Sequence, residues 1–211
     1  NKGCICFNDG TNQLEFSNDC STYDTFGGAS TAIFEDTGTL IRPTSGVVDY
    51  ANEDYVFGSH QTEDDSSTTD YDARILFDKS KGAFRAGTVL DTRWDVGNRG
   101  DQSAAFGMRT QASGDQSMAW GLLSTATATQ ATAWGGSTAS QTQATAWGAG
   151  TAASGAASTT WGSGTTATAS QATAWGSGAD ATSFQSTAWG FNSLADGREA
   201  TAWGGVGNAA L

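Results

Sequence analysis

Three groups of residues in this chain have the types and spacing to do chemistry. The segment "HQTEDDSSTTDYD" (60–72) sets Glu63, Asp64, Asp65, Asp70 and Asp72 close together with Ser and Thr between them. Oxygen-rich clusters of this kind suit Ca2+, a hard cation that takes roughly six to eight oxygen ligands. No Gly stands where an EF-hand loop would turn, so a calcium site at Asp64, Asp65, Asp70 and Asp72 stands beside the plainer alternative of a solvated acidic loop. The second group is Cys4, Cys6 and Cys20. Zinc would lack a fourth ligand, because the only His, His60, lies about forty residues further on. An acidic, Ser/Thr/Gly-rich, Lys-poor chain favours an oxidising compartment, where Cys20 would bond Cys4 or Cys6 and the third thiol could bridge to another chain. Free thiols are the alternative.

The third group is the largest. Phe106, Trp120, Trp134, Trp147, Trp161, Trp175, Trp189 and Trp203 recur every fourteen residues, with one interval of thirteen. Each is followed by Gly in a matrix of Ala, Thr, Ser and Gly, as in "SQATAWGSGADATSFQSTAWG" (170–190). Aligned on the ring, residues 101–211 divide into eight units, and the missing residue is placed near Ser140-Gln141, in a turn. A deletion inside a strand would flip every later side chain. Aromatic rings at this spacing do no acid–base work; they stack on each other, on a partner chain, or on sugar rings.

Fourteen residues are too few for a helical hairpin, and Thr, Gly and Trp are poor helix formers. They suit one coil of a two-walled parallel β-solenoid, with one strand at unit positions 3–6, Gly at 7 breaking it, and a second strand near positions 10–12. Alternation puts positions 4 and 6, Thr and Trp, on one face and positions 3 and 5, Ala and Ser, on the other. Coils about 4.8 Å apart would line the rings into a ladder along a rod roughly 35–40 Å long. One such roll buries little apolar area, and eight outward aromatics would form an exposed stripe. Association across that face removes both difficulties, and closed cyclic oligomers are the usual form.

The segments "DQSAAFGMRTQASGDQSMAWG" (101–121) and "FQSTAWGFNSLADG" (184–197) follow the order x-x-S-x-A-aromatic-G and then small-x-Ala-x-Gly. This order resembles the fourteen-residue head repeat of trimeric autotransporter adhesins, the YadA-like head, over about half the chain. The resemblance implies a left-handed parallel β-roll and a homotrimer in an adhesive fibre at the cell surface; such trimers could also assemble into longer filaments. Its adhesion target would be a host surface, matrix or other cells. Position 6 departs from the family, which commonly has an aliphatic residue there, and a position usually filled by Ile, Val or Leu is usually buried. The ladder would then be a buried spine between chains. A carbohydrate- or ice-binding solenoid with an exposed Trp/Thr face, and a phage tail-fibre segment, are the alternatives.

The first hundred residues are different material, holding 17 of 22 acids and 8 of 10 bases. This shift places a domain boundary between 1–99 and 100–211. "CICFNDGTNQLEF" (4–16) has the alternation and the Asn-Asp-Gly turn of a hairpin, weakly like units of bacterial and phage fibres. "TAIF", "TLI", "GVVDYA", "DYVFG", "ARILFD" and "GAFRAG" follow as short strands of a small β-rich domain. The whole chain is thus expected to be all-β.

A net charge of −12 argues against nucleic acid and anionic lipid as partners. No apolar run approaches the ~20 residues of a membrane span, so no membrane contact is expected here. A lone His without a placed nucleophile, and glycines that only mark repeat turns, offer nothing catalytic, so an enzyme is not expected, nor any cofactor besides calcium. The start at Asn1-Lys2-Gly3-Cys4 suggests a mature or trimmed end, and the last repeat, without a cap, a chain that continued. If the odd Cys links chains, non-reducing gels will show a dimer band that disappears with reductant; a monomer band in both lanes would remove that bridge.

Overall fold

The computed structural model describes residues 73–205 throughout, together with the backbone of Asp72 and of the strands Cys4–Asn8, Gln13–Ser17, Asp24–Thr25, Phe34–Asp36, Ile41–Pro43, Tyr55–Gly58 and Ala209–Ala210. The chain forms two compact units, Asn1–Ala51 and Asn52–Leu211. In the first, Cys4–Asn8 pairs antiparallel with Gln13–Ser17, Cys4 opposite Ser17, and Asp24–Thr25 adds a third strand. Phe34–Asp36 pairs with Ile41–Pro43. The calcium and disulfide expectations lie outside this description: Cys20, Asp64, Asp65 and Asp70 wholly, Cys4, Cys6 and Asp72 in their side chains. Among the described residues no three His, Cys, Asp or Glu side chains gather where a metal would bind.

The second unit is a parallel β-solenoid of about seven turns. Each coil contributes a long strand to one sheet and a two-residue strand to the other, as Thr173–Ser177 and Asp180–Ala181 do. Successive long strands pair in register, Ala119 with Ala133, Ala174 with Ala188, Trp175 with Trp189. Outside the thirteen-residue coil, Gly at position 7 does not break the long strand, contrary to the sequence expectation. In most coils the strand continues one residue further, and Gly107 pairs with Gly121 inside it. The reason is steric. At Gly162 φ is +125°, and a Cβ there would come within 1.9 Å of the Gly176 carbonyl oxygen of the next coil. Only glycine can hold this conformation at this approach.

The two walls lie close, and small side chains alone fill the space between them. Positions 5 and 12 are Ala in nearly every coil, among them Ala105, Ala119, Ala133, Ala112, Ala126 and Ala139, all with no solvent exposure. Positions 3 and 10 add Ser103, Ser117, Thr110 and Ser124, equally buried. The alternation expected from sequence is therefore the observed one, with Ala and Ser inside and Thr and Trp outside. At the far corner the position-2 residues take a left-handed conformation, φ near +60°. Their amides hydrogen-bond along the stack, Gln116 Nε2 donating to Gln102 Oε1 at 3.1 Å and Gln130 Nε2 to Gln116 Oε1 at 3.0 Å.

The division by composition at 99/100 falls inside this unit, because strand pairing carries the sheet across it. Ala83–Val89 pairs parallel with Ala104–Met108, and Asp72–Asp78 and Tyr55–Gly58 continue the same sheet antiparallel, making eleven strands. Residues 74–99 also close the end of the alanine core. Trp94 is fully buried there and donates Nε1–H to the Thr110 carbonyl at 2.8 Å. The Arg85 guanidinium donates to the carbonyls of Phe84, Ser103 and Ala112 and to Ser103 Oγ at 2.8–3.1 Å. Burial, with the nearby Arg99 charge, lowers its pKa to about 10, so it is charged at neutral pH. Behind it Arg99 and Asp78 form a buried ion pair at 3.0 Å. Burial pushes the Asp78 carboxyl up, but hydrogen bonds from Ser80, Arg99 and the Lys81 N–H outweigh it and hold the group below its ordinary value.

The alanine core falls into two clusters, one ending at Ala153 and the next beginning at Ala167. Between them Thr151, Ser158, Thr160 and Thr165 are buried, and the Thr151, Thr160 and Thr165 hydroxyls find no partner. Thr160 occupies the position that is Ala in the adjacent coils, Ala146 and Ala174. An unpaired buried hydroxyl costs about 1–3 kcal/mol, more than the roughly 0.8 kcal/mol contributed by burying its methyl. Thr160→Ala is therefore expected to raise the thermal midpoint by about 2–4 °C, which calorimetry would measure; an unchanged or lower midpoint would contradict this account of the hydroxyl layer.

Candidate aromatic and threonine binding face

Because the interior admits only small residues, every large apolar side chain of the repeat points outward. Position 6 lines up coil after coil, Phe106 opposite Trp120, Trp120 opposite Trp134, and so on to Trp203. Ring centroids lie 5.1–5.5 Å apart in two runs, Phe84 through Phe106, Trp120, Trp134 and Trp147 to Trp161, then Trp175 through Trp189 to Trp203. The rings remain half open to solvent in the single chain: Trp120 is 50% exposed and Trp161 54%. They are the outer face of the roll and not its core.

Position 4 places a hydroxyl beside each of six rings. Thr132, Thr145, Thr159, Thr173, Thr187 and Thr201 pair in unbroken register. No charged side chain stands at position 4 or 6. The face therefore offers flat apolar area with a parallel row of hydroxyls, and it offers no group that could move a proton at neutral pH. The same face continues past the repeat. Phe77 lies opposite Phe84 and Ile75 opposite Ala86, and both Ile75 and Phe77 are exposed.

The thirteen-residue coil interrupts the face, and the structure corrects where the residue is missing. Thr138-Ala139 pairs with Thr125-Ala126 on one side and with Ala152-Ala153 on the other. Three residues, Gly135-Gly136-Ser137, thus join Trp134 to Thr138, where four join Trp120 to Thr125. The turn at Ser140-Gln141 keeps its full length. Two consecutive glycines with φ of +73° and +84° allow the shortened turn. Ser124 ties it down, donating Oγ–H to the Trp120 carbonyl and accepting from the Gly136 N–H.

The strand Thr132–Trp134 is cut to three residues, and its ring turns across the ladder. Trp134 lies at 82° to Trp120 and 83° to Trp147, whereas Trp147 and Trp161 stack at 6°. Trp134 is less exposed than its neighbours, and its Nε1–H is buried without an acceptor. A cleft of about 300 Å³ opens over it, lined by Trp120, Gly121, Trp134, Gly135 and Trp147.

Sequence spacing identifies the eight rings but not Phe84, Phe77 and Ile75, which lie outside the repeat and join it through strand pairing. It also gives no sign of Trp94 and Arg85, whose place at the end of the core is set by residues 74–99 folding back. A scan against protein-family models finds no match for this chain, and a search of the curated proteins finds none.

A buried N–H without an acceptor costs about 1–3 kcal/mol, and phenylalanine keeps a ring without that group. Trp134→Phe is expected to hold or raise the thermal midpoint, while Trp147→Phe lowers it; a larger loss at 134 than at 147 would show that the Trp134 indole N–H is satisfied.

Proposed function

We propose that this chain is a structural and adhesive segment of an extracellular fibre, in which three copies cover one another's Trp/Thr faces. The observation that supports this most is the inside-out apparent placement of apolar bulk. The interior holds Ala, Ser and Thr, while the aromatics, with Met108, Met118, Leu122 and Phe191, stand exposed on one side of one sheet. A soluble monomer seldom leaves so long a contiguous apolar patch in water. Copies meeting through it would bury the rings and add to each coil the apolar contact that alanine alone supplies poorly. The likeness of the repeat to adhesin heads supplies the number three and the cell-surface setting, and a phage tail fibre would use the same architecture.

The row of six Thr beside the rings favours a second reading, a solenoid whose bare face binds a flat polysaccharide or ice. The two readings differ in solution. Sedimentation equilibrium on the full chain is expected to give three times the 21.6 kDa chain mass, with Trp175→Ala weakening association by roughly thirtyfold or more, as loss of an interface tryptophan does. A chain that stays at 21.6 kDa at micromolar concentration, with Trp175→Ala unchanged, would remove the fibre reading.

A further inference from the structure

The cleft at the short coil differs from the rest of the face in kind. Elsewhere neighbouring rings lie tilted or stacked; here Trp120 and Trp147 flank a ring set across both at 82° and 83°. Trp134 is withdrawn, and Gly121 and Gly135 add no side chain, so the recess of about 300 Å³ is bounded by three indoles and glycine backbone. A flat sheet laid on this face would rest on the projecting rings and span the recess. In the single chain the recess stands open to solvent, whereas a facing copy would roof it.

The lining decides what can enter. The indole N–H groups can only donate, so no side chain in the lining accepts a hydrogen bond from the hydroxyls of a sugar or from the N–H groups of a primary ammonium or guanidinium. Each of those would be desolvated without a partner. A head group with no hydrogen-bonding demand, and with apolar surface on every side, meets no such penalty. Indole faces attract cations, and tryptophan does so best among the aromatics. Charge points the same way: the chain carries −12, and residues 101–211 hold five acids against two bases. We propose that the Trp120–Trp134–Trp147 cleft binds a quaternary ammonium head group of the choline type. Its methyls would contact the indoles, and its charge, spread over those methyls, has no N–H left unpaired. The same head group occurs on free cations and on phosphocholine lipids.

The test titrates the full chain with choline chloride and with tetramethylammonium chloride, against sodium and ammonium chloride at equal ionic strength. Indole N–H resonances in 15N-labelled protein report the site. Saturable shifts confined to Trp120, Trp134 and Trp147 with both quaternary cations are expected, and none with sodium or ammonium. Trp147→Leu keeps an apolar wall but removes a π face, and should weaken binding about tenfold. A chain with one residue inserted between Gly135 and Gly136 restores the fourteen-residue coil and should lose the site, while Trp175→Ala should keep it. No saturable response, an equal response to ammonium, or binding untouched by both Trp147→Leu and the insertion would overturn the proposal. Flotation with phosphatidylcholine but not phosphatidylglycerol vesicles would assign the head group to lipid; a response to free choline alone would assign it to a small cation. Mass measured on the same samples separates the two readings: a monomer that binds removes the fibre and keeps the cleft, and a trimer without a response does the reverse.

Discussion

The distance between the two walls of each coil is the constraint on which the rest of this structure depends. The walls are joined by turns so short that alanine, serine and threonine fill the space between them, as Ala119, Ala133 and Ala146 show at position 5. A larger interior residue would force the walls apart or strain the turns. The consequences follow outward. Glycine after the ring is required in most coils, as at Gly107, Gly148, Gly162 and Gly176, because its carbonyl neighbour in the next coil leaves no room for a Cβ. Bulk is excluded from the inside, so it accumulates on the outside, and register between identical coils turns single tryptophans into a continuous face. The aromatic ladder is thus a product of the narrow core and does not fill it.

A core of methyl groups gives little apolar area for each residue ordered, about 0.8 kcal/mol for each methyl-sized group. That makes the unusual coils informative. The coil around Thr160 buries hydroxyls where its neighbours bury Ala174 and Ala146, and the division of the core at that level matches the break in ring contacts between Trp161 and Trp175. At the other end the core is closed by Trp94 and Arg85, large side chains that fit because no earlier coil lies beyond them among the described residues. Arg85 satisfies the Ser103 and Ala112 carbonyls, a device suited to a solenoid end, where open carbonyls would otherwise be left without donors.

Much of the repeat is legible in the sequence because its period is strict. Fourteen residues with Thr-Ala-Trp-Gly fix the coil length, the two strands, and which side chains share a face. The short coil is harder. Aligned on its rings alone, the missing residue can be placed in either turn, and Ser140-Gln141 is a reasonable place by eye. The decisive signal is the second Thr-Ala pair, 125–126 against 138–139, since buried Ala139 must stack on Ala126 to keep the inner wall filled. The cleft is not legible, because ring orientation depends on a turn one residue shorter. The boundary near Gly100 marks a change in composition, yet backbone pairing between Ala83–Val89 and Ala104–Met108 is indifferent to charge and runs across it.

The central claim is that the tryptophan face, open in the single chain, is covered by further copies in solution. Acrylamide quenching of the intrinsic fluorescence tests this directly, since seven of the eight tryptophans lie on that face. Covered rings will emit at shorter wavelength and resist the quencher, and dilution far enough to separate the copies will shift emission to the red and restore quenching. Red-shifted, freely quenched emission at every concentration would contradict the account.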